Sequence, residues 1–314
     1  MTAGVISHWL DIGRLDLPLP ASGATARRWR LLTEMARDDI TAARIAEAHV
    51  DAVAILHELG GKPVQFKEVW GVWAAETPEA TLVAEATSDG TSLLNGTKAW
   101  CSGASFCTNA LVTAADADGQ RRLYAVTLTG PSVRPLPSTW ANPGMTGSDT
   151  RAVQFTNTPA VPVGEPGDYL SRPGFWHGAI GVAACWLGGA QAVAQPLYER
   201  VASGAADQHA LAHLGAIDAA LTAAEAVLAM AAAEIDADPF DRAGRGEMLA
   251  RRVRAVAETA VDEAITRTAR ALGPVPLCTD DRHARRVADL SVYVRQSHAE
   301  RDLAALGALA GTHR

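Results

Sequence analysis

The chain has 314 residues, 48% of them apolar and 20% charged, with a net charge of −7. That balance excludes a disordered chain, and an acidic surface speaks against a general nucleic-acid binder, which needs a basic patch. The length supports a large core without disulfide or metal staples, and Cys101, Cys107, Cys185 and Cys278 are scattered without a CxxC pair, so thiols rather than a zinc site are expected.

The N-terminus lacks a basic segment followed by a long apolar run, so no secretory signal is expected. Residues 24 to about 59 have helical spacing: Asp38-Asp39 opens a run through Ile40, Ala43, Ala46, Val50, Val53 and Leu56, and Gly60-Gly61 with Pro63 stops it. From about 66 to 162 short β-rich runs alternate with turns. They are Thr81–Ala86, Ser88-Asp89-Gly90, Ser92–Leu94, an Asn95-Gly96 turn, and a hairpin whose strands Ala110–Ala115 and Arg122–Leu128 flank Asp116-Ala117-Asp118-Gly119; Thr150–Phe155 follows. That spacing predicts a small barrel or sandwich.

From about 173 onward the pattern is helical, with segments 174–203, 208–236, 245–272 and 280–308 separated by Gly204, Pro239 and Gly273-Pro274. Charges such as Glu225 and Glu234 speak against a membrane span, and a cytoplasmic protein is expected. The fold class expected is α+β, mostly α: a short N-terminal helical part (1–62), a β domain (63–165) and a C-terminal four-helix bundle (173–314). The His209–His213 pair has metal-ligand spacing but no third ligand, so no metal is expected.

The run Leu94-Asn95-Gly96-Thr97-Lys98-Ala99-Trp100-Cys101-Ser102-Gly103-Ala104 resembles the NGxKxWIT/S segment of the acyl-CoA dehydrogenase family. The resemblance implies a flavin beside Trp100, Cys101 and Ser102, with the Trp packed near the ring and the Ser hydroxyl and local backbone at its N5 edge. Reduction builds negative charge on the ring, and such donors tune it. Trp73-Ala74-Ala75-Glu76-Thr77-Pro78 falls at the family's TEPxxGSD loop, which places the backbone of Ala75, Glu76 and Thr77 near the flavin, although the Gly-Ser-Asp part is missing. Gly144-Met145-Thr146-Gly147-Ser148-Asp149-Thr150, through Phe155 to Val161-Pro162, is similar to the stretch that closes the family's β domain. Near the C-terminus, Leu272-Gly273 falls at the loop that contacts the FAD pyrophosphate and adenine, and Arg285-Arg286-Val287-Ala288-Asp289 resembles RxxRDA.

Three departures stand beside this. The helical part before the β domain is short. The family's RxxFG, whose Arg reaches the FAD of a neighbouring subunit, is reduced to Arg200-Val201-Ala202-Ser203-Gly204. The catalytic Glu of straight-chain members, eight residues after the Asp, becomes Ser297, and the alternative position becomes Gly178. Glu300 is the candidate replacement base, sharing a helix face with Gln296, or else an ion-pair partner of Arg301 or Arg295; His298 and His177 are further candidates. The activity implied is FAD-dependent α,β-dehydrogenation of an acyl-CoA or acyl-carrier thioester. The alternatives are a flavin monooxygenase or oxidase of the same fold, and a degenerate subunit that stabilises an active relative. A homo-oligomer, or a hetero-oligomer with a related subunit, is expected.

Overall fold

The computed structural model describes residues 2–78 and 80–312. Helix α1 spans Thr2–Asp11, which the spacing does not signal. The stretch 24–59 is two helices, α2 (Thr25–Asp38) and α3 (Ile40–Glu58). Asp39 separates them: its backbone is extended, and its Oδ1 accepts the Ala42 N–H at 2.8 Å, so it caps the start of α3 instead of continuing α2.

Seven strands follow: β1 (Trp70–Trp73), β2 (Leu82–Ala86), β3 (Ser92–Cys101), β4 (Asn109–Ala115), β5 (Arg121–Thr127), β6 (Val133–Pro135) and β7 (Arg151–Val163). They pair in the order β1-β4-β2-β3-β7-β5, and β5 returns to β4, which closes a small barrel. The β4–β5 hairpin turns where the sequence places it, with Asp116 Oδ1 accepting the N–H groups of Asp118 and Gln120.

Asn95-Gly96 is not a turn. Both residues lie inside β3, at a register shift between Leu94 and Gly96. Gly96 has φ +122°, and a Cβ there would stand 2.2 Å from the Thr81 carbonyl oxygen, so glycine serves close strand approach at a bulge. Strand β7 runs well past the predicted Phe155, because it has three partners: β3, β6 and β5.

Trp73, Leu94, Tyr124, Val153 and Phe155 fill the barrel. Outside it, Ala52, Ile55 and Leu56 of α3 cover Trp70, Leu111 and Leu123, so β4 is buried on both faces from Asn109 to Ala114.

The chain forms two compact units. One holds α1, Ile45–Ala141 and Thr146–Phe175; the other holds Leu17–Arg44, Asn142–Met145 and the chain from Trp176 onward. After the short α4 (Asp168–Ser171) come α5 (Gly174–Ala202), α6 (Gln208–Ala237) and α7 (Gly246–Leu272). Helix α5 is the core of the helical unit. Its Gly188 lets α2 approach, since a Cβ there would sit 2.1 Å from the Thr33 carbonyl oxygen.

A short α8 (Val275–Thr279) follows, and the expected fourth helix, 280–308, is two: α9 (Asp281–Tyr293) and α10 (Glu300–Thr312), with a 3-10 turn over Val294–Gln296 between them. Asp289 on α9 accepts the Met145 N–H at 2.6 Å and the Thr41 hydroxyl at 3.1 Å, which clamps the Asn142–Met145 segment. Burial pushes its carboxyl above the usual range, against the pull of those two bonds. Against expectation, α6 is long and apolar enough by composition to cross a membrane, with mean hydropathy 1.6 in its most apolar window, because its many alanines dilute the few charges.

Candidate functional site

The end of β3 is irregular. The pairing with β7 shifts between Lys98 and Cys101, and Trp100 sits in that shift with φ +59°. A bulky residue in the left-handed region is costly and persists where the surroundings enforce it, often at functional sites. The strand's alternation is broken as a result: Cys101 is fully buried, Trp100 is 57% exposed and Ser102 is half-buried. The Trp100 indole meets Trp140 edge to face, centroids 6.2 Å apart.

Five hydrogen bonds hold this end in place. The Trp73 indole N–H, from the end of β1, donates to the Ser102 carbonyl at 2.9 Å. Gly103 N–H donates to Ser148 O at 2.7 Å, and Ser105 N–H to Asp149 Oδ2 at 2.8 Å. The Ser102 hydroxyl lies 2.9 Å from Thr150 Oγ1, which lies 2.8 Å from Ser148 Oγ.

Below them is an ion pair between a buried lysine and a half-exposed carboxylate. Lys98, 1% exposed, donates to Glu76 Oε1 at 2.8 Å and to both oxygens of Thr113, and the Thr113 hydroxyl donates to Glu76 at 2.6 Å. Burial pushes Lys98 below its ordinary value, partly offset by Glu76. Burial would raise Glu76, but the bonds from Lys98 and Thr113 outweigh it and hold the carboxyl below the usual range. This pair fixes the loop that carries Ala75, Glu76 and Thr77, all more open than the strand before them.

The barrel unit therefore brings together Trp100, Cys101 and Ser102, with Glu76 tied to β3 through Lys98. Its donor set fits a flavin: the exposed Trp100 indole, with half-buried Trp140 beside it, for a planar ring, and a hydroxyl for an acceptor on the ring's edge. Cys101 takes part only through its backbone. Its side chain fills the barrel core, and burial pushes the thiol up, so it is neither a nucleophile nor a side-chain donor to a ligand.

Arg200 and Gly273 belong to the helical unit. Arg200 Nε donates to the Ala205 carbonyl just beyond its own helix at 3.3 Å, and Gly273 caps the C-terminus of α7 with open space where a Cβ would be. Trp140 carries no motif that marks it, whereas Ser148 and Thr150 lie in the Gly144–Thr150 run, whose resemblance implies closure of the β domain.

The helix-face argument for Glu300 does not hold. Ala299 has φ +45° and breaks the helix, so Gln296 lies before α10 and Glu300 starts it. Glu300 is exposed and makes no ion pair among the described residues. Arg295 pairs instead with Glu258 and Asp262, each at 3.4 Å, and Arg251 pairs with Asp302. Ser297 is 8% exposed; its hydroxyl donates to Glu258 Oε2 at 2.5 Å and accepts the Ala299 N–H. His177 is buried at the start of α5.

Helices before and after a closed β-barrel define the acyl-CoA dehydrogenase-like fold. No protein-family model matches the sequence, and no curated protein matches it. Among solved structures, nitrososynthase from Micromonospora carbonacea var. africana superimposes with TM-score 0.80 at 18% identity, over 97% of this chain and 88% of that one. Methanesulfinate monooxygenase MsuC from Pseudomonas fluorescens gives 0.79 at 20% identity (98% and 89%). Dibenzothiophene monooxygenase TdsC from Paenibacillus sp. A11-2 gives 0.77 at 21% (91% and 84%), and TdsC is also solved with FMN and indole. At these identities the likeness establishes the fold.

Proposed function

We propose that the protein is a flavin-dependent oxidoreductase whose reaction is monooxygenation of a small molecule. The observation that carries the flavin assignment is the irregular end of β3, where a strained, exposed Trp100 stands beside Trp140 and the Ser102 hydroxyl. FAD is the form implied by the resemblance in sequence; FMN is the form present in similar structures of TdsC and KijD3. When bound and reduced by a nicotinamide donor, the flavin supplies electrons to dioxygen, one oxygen atom going to the substrate and the other to water. The chain's own part is to seat the ring against the two indoles, present the Ser102 donor to its edge and hold that edge rigid through Trp73 and Lys98.

Monooxygenation is favoured over thioester dehydrogenation by the residue at the family's base position. Ser297 is a hydroxyl already committed to Glu258, and an unactivated hydroxyl is too weak a base to remove a proton beside a carbonyl. Fold relatives that are monooxygenases support the same choice. A homo-oligomer is part of this proposal.

The test is spectroscopic. Protein purified with FMN or FAD, then gel-filtered, is expected to carry flavin absorbance. Photoreduced anaerobically and mixed with air, it is expected to reoxidise faster than free flavin, whereas simple saturated acyl-CoA thioesters leave it oxidised. Rapid bleaching by an acyl-CoA would return the protein to the dehydrogenases. A colourless protein that binds neither flavin would favour the degenerate-subunit alternative.

A further inference from the structure

The hydroxyls of Ser148, Thr150 and Ser102 form a chain, and its inner end fixes its direction. Ser148 is 2% exposed, and among the described residues its hydroxyl has one partner, Thr150 Oγ1 at 2.8 Å. Thr150 has two, Ser148 and Ser102, and the Ser102 hydroxyl has one, Thr150 at 2.9 Å. Each hydroxyl carries a single hydrogen. If Ser102 donated inward, either Thr150 would donate to Ser148 and leave the Ser148 hydrogen buried with no acceptor, or Thr150 would accept from both neighbours and leave its own hydrogen with no acceptor among the described residues, and native structures avoid such losses. If Ser148 donates, Thr150 passes its own hydrogen to Ser102, every inner group is satisfied, and the half-buried Ser102 keeps its hydrogen for a partner outside the chain.

We infer that Ser148 and Thr150 are positioning residues that hold Ser102 as an outward hydrogen-bond donor to the acceptor edge of the bound flavin. This rests on the flavin assignment above. The Ser102 backbone is independently pinned by the Trp73 indole at 2.9 Å, so the chain sets the direction of the hydroxyl and not merely its position. A donor fixed this way interacts more strongly as negative charge builds on the ring, so it favours the reduced cofactor over the oxidised one.

The experiment compares wild type with Thr150→Val, Thr150→Ser, Ser102→Ala and the Ser102→Ala/Thr150→Val double variant. It measures dissociation constants for oxidised and reduced FMN and FAD, the visible spectrum and the midpoint potential. Thr150→Val is expected to weaken binding of reduced flavin by roughly tenfold, with a smaller effect on the oxidised form, and so to lower the potential. Thr150→Ser restores the wild-type values. The double variant is no worse than Ser102→Ala alone, because Thr150 acts only through Ser102. If Thr150→Val does not fold by thermal melting, Ser148→Ala carries the same expectation in weaker form. Wild-type potential and spectrum in a folded Thr150→Val protein, or additive losses in the double variant, would overturn the relay while leaving the flavin assignment intact. A wild type that binds neither flavin in either redox state would overturn both.

Discussion

His49 shows how one buried side chain sets a pH dependence. It is 4% exposed on α3, and its Nδ1 accepts the Trp70 N–H at 3.2 Å, which requires a neutral ring. Burial holds its pKa at about 4 despite the carboxylates of Asp16 and Glu68 nearby. The folded value lies below the unfolded one, so the stabilisation is complete above the unfolded pKa and is lost as pH falls towards about 4. A gap of this size corresponds to about 3 kcal/mol at about 1.4 kcal/mol per unit. Urea unfolding of wild type is therefore expected to weaken steadily from about pH 7 to about pH 4. The slope should flatten in His49→Gln, whose amide oxygen can accept the same N–H without titrating. Equal slopes in the two proteins would show that His49 is not the group responsible.

Elements here are shaped by close approach as much as by hydrophobic pattern. The bulge at Gly96 and the helix crossing at Gly188 both place backbone where a Cβ would stand. Gly96→Ala adds a methyl 2.2 Å from the Thr81 carbonyl oxygen at φ +122°, so both sterics and backbone oppose it. A loss of roughly 2 kcal/mol or more is expected, read as a fall in the urea midpoint. A midpoint unchanged from wild type would mean that β2 and β3 can part there without cost. Elements also end for identifiable reasons: Asp39 caps α3, and the left-handed Ala299 starts α10.

At the scale of the whole molecule, the helical unit leaves much apolar surface uncovered. Leu211 and Met230 on α6 are 49% and 46% exposed, and no residue of α10 from Glu300 to Gly311 is buried. Apolar area withdrawn from water stabilises by about 25 cal/mol per Å², and a stable interface covers about 800 Å² on each partner. Sedimentation at micromolar concentration is expected to give a dimer or larger assembly. A monomer under those conditions would contradict the proposed homo-oligomer.

The sequence by itself determined the class of architecture. Periodicity of 3.6 flanking a period near 2, with turn residues between, specifies helices, barrel and helices, because those periods decide which side chains face a core. It also marked Trp100 and Ser102, whose surrounding run is contiguous in the chain. Tertiary structure alone decided the rest. Whether Asn95-Gly96 turns or bulges depends on how closely β2 approaches, which no local preference encodes. The kink before Glu300, at the left-handed Ala299, stands beside a Ser297 that bonds Glu258, 39 residues away in sequence. The hydroxyl chain joins Ser102 to Thr150 across 48 residues, so its direction exists only once β3 and the start of β7 have met. Contacts distant in sequence carry no local signature, and in this protein they fix the orientation of the candidate site.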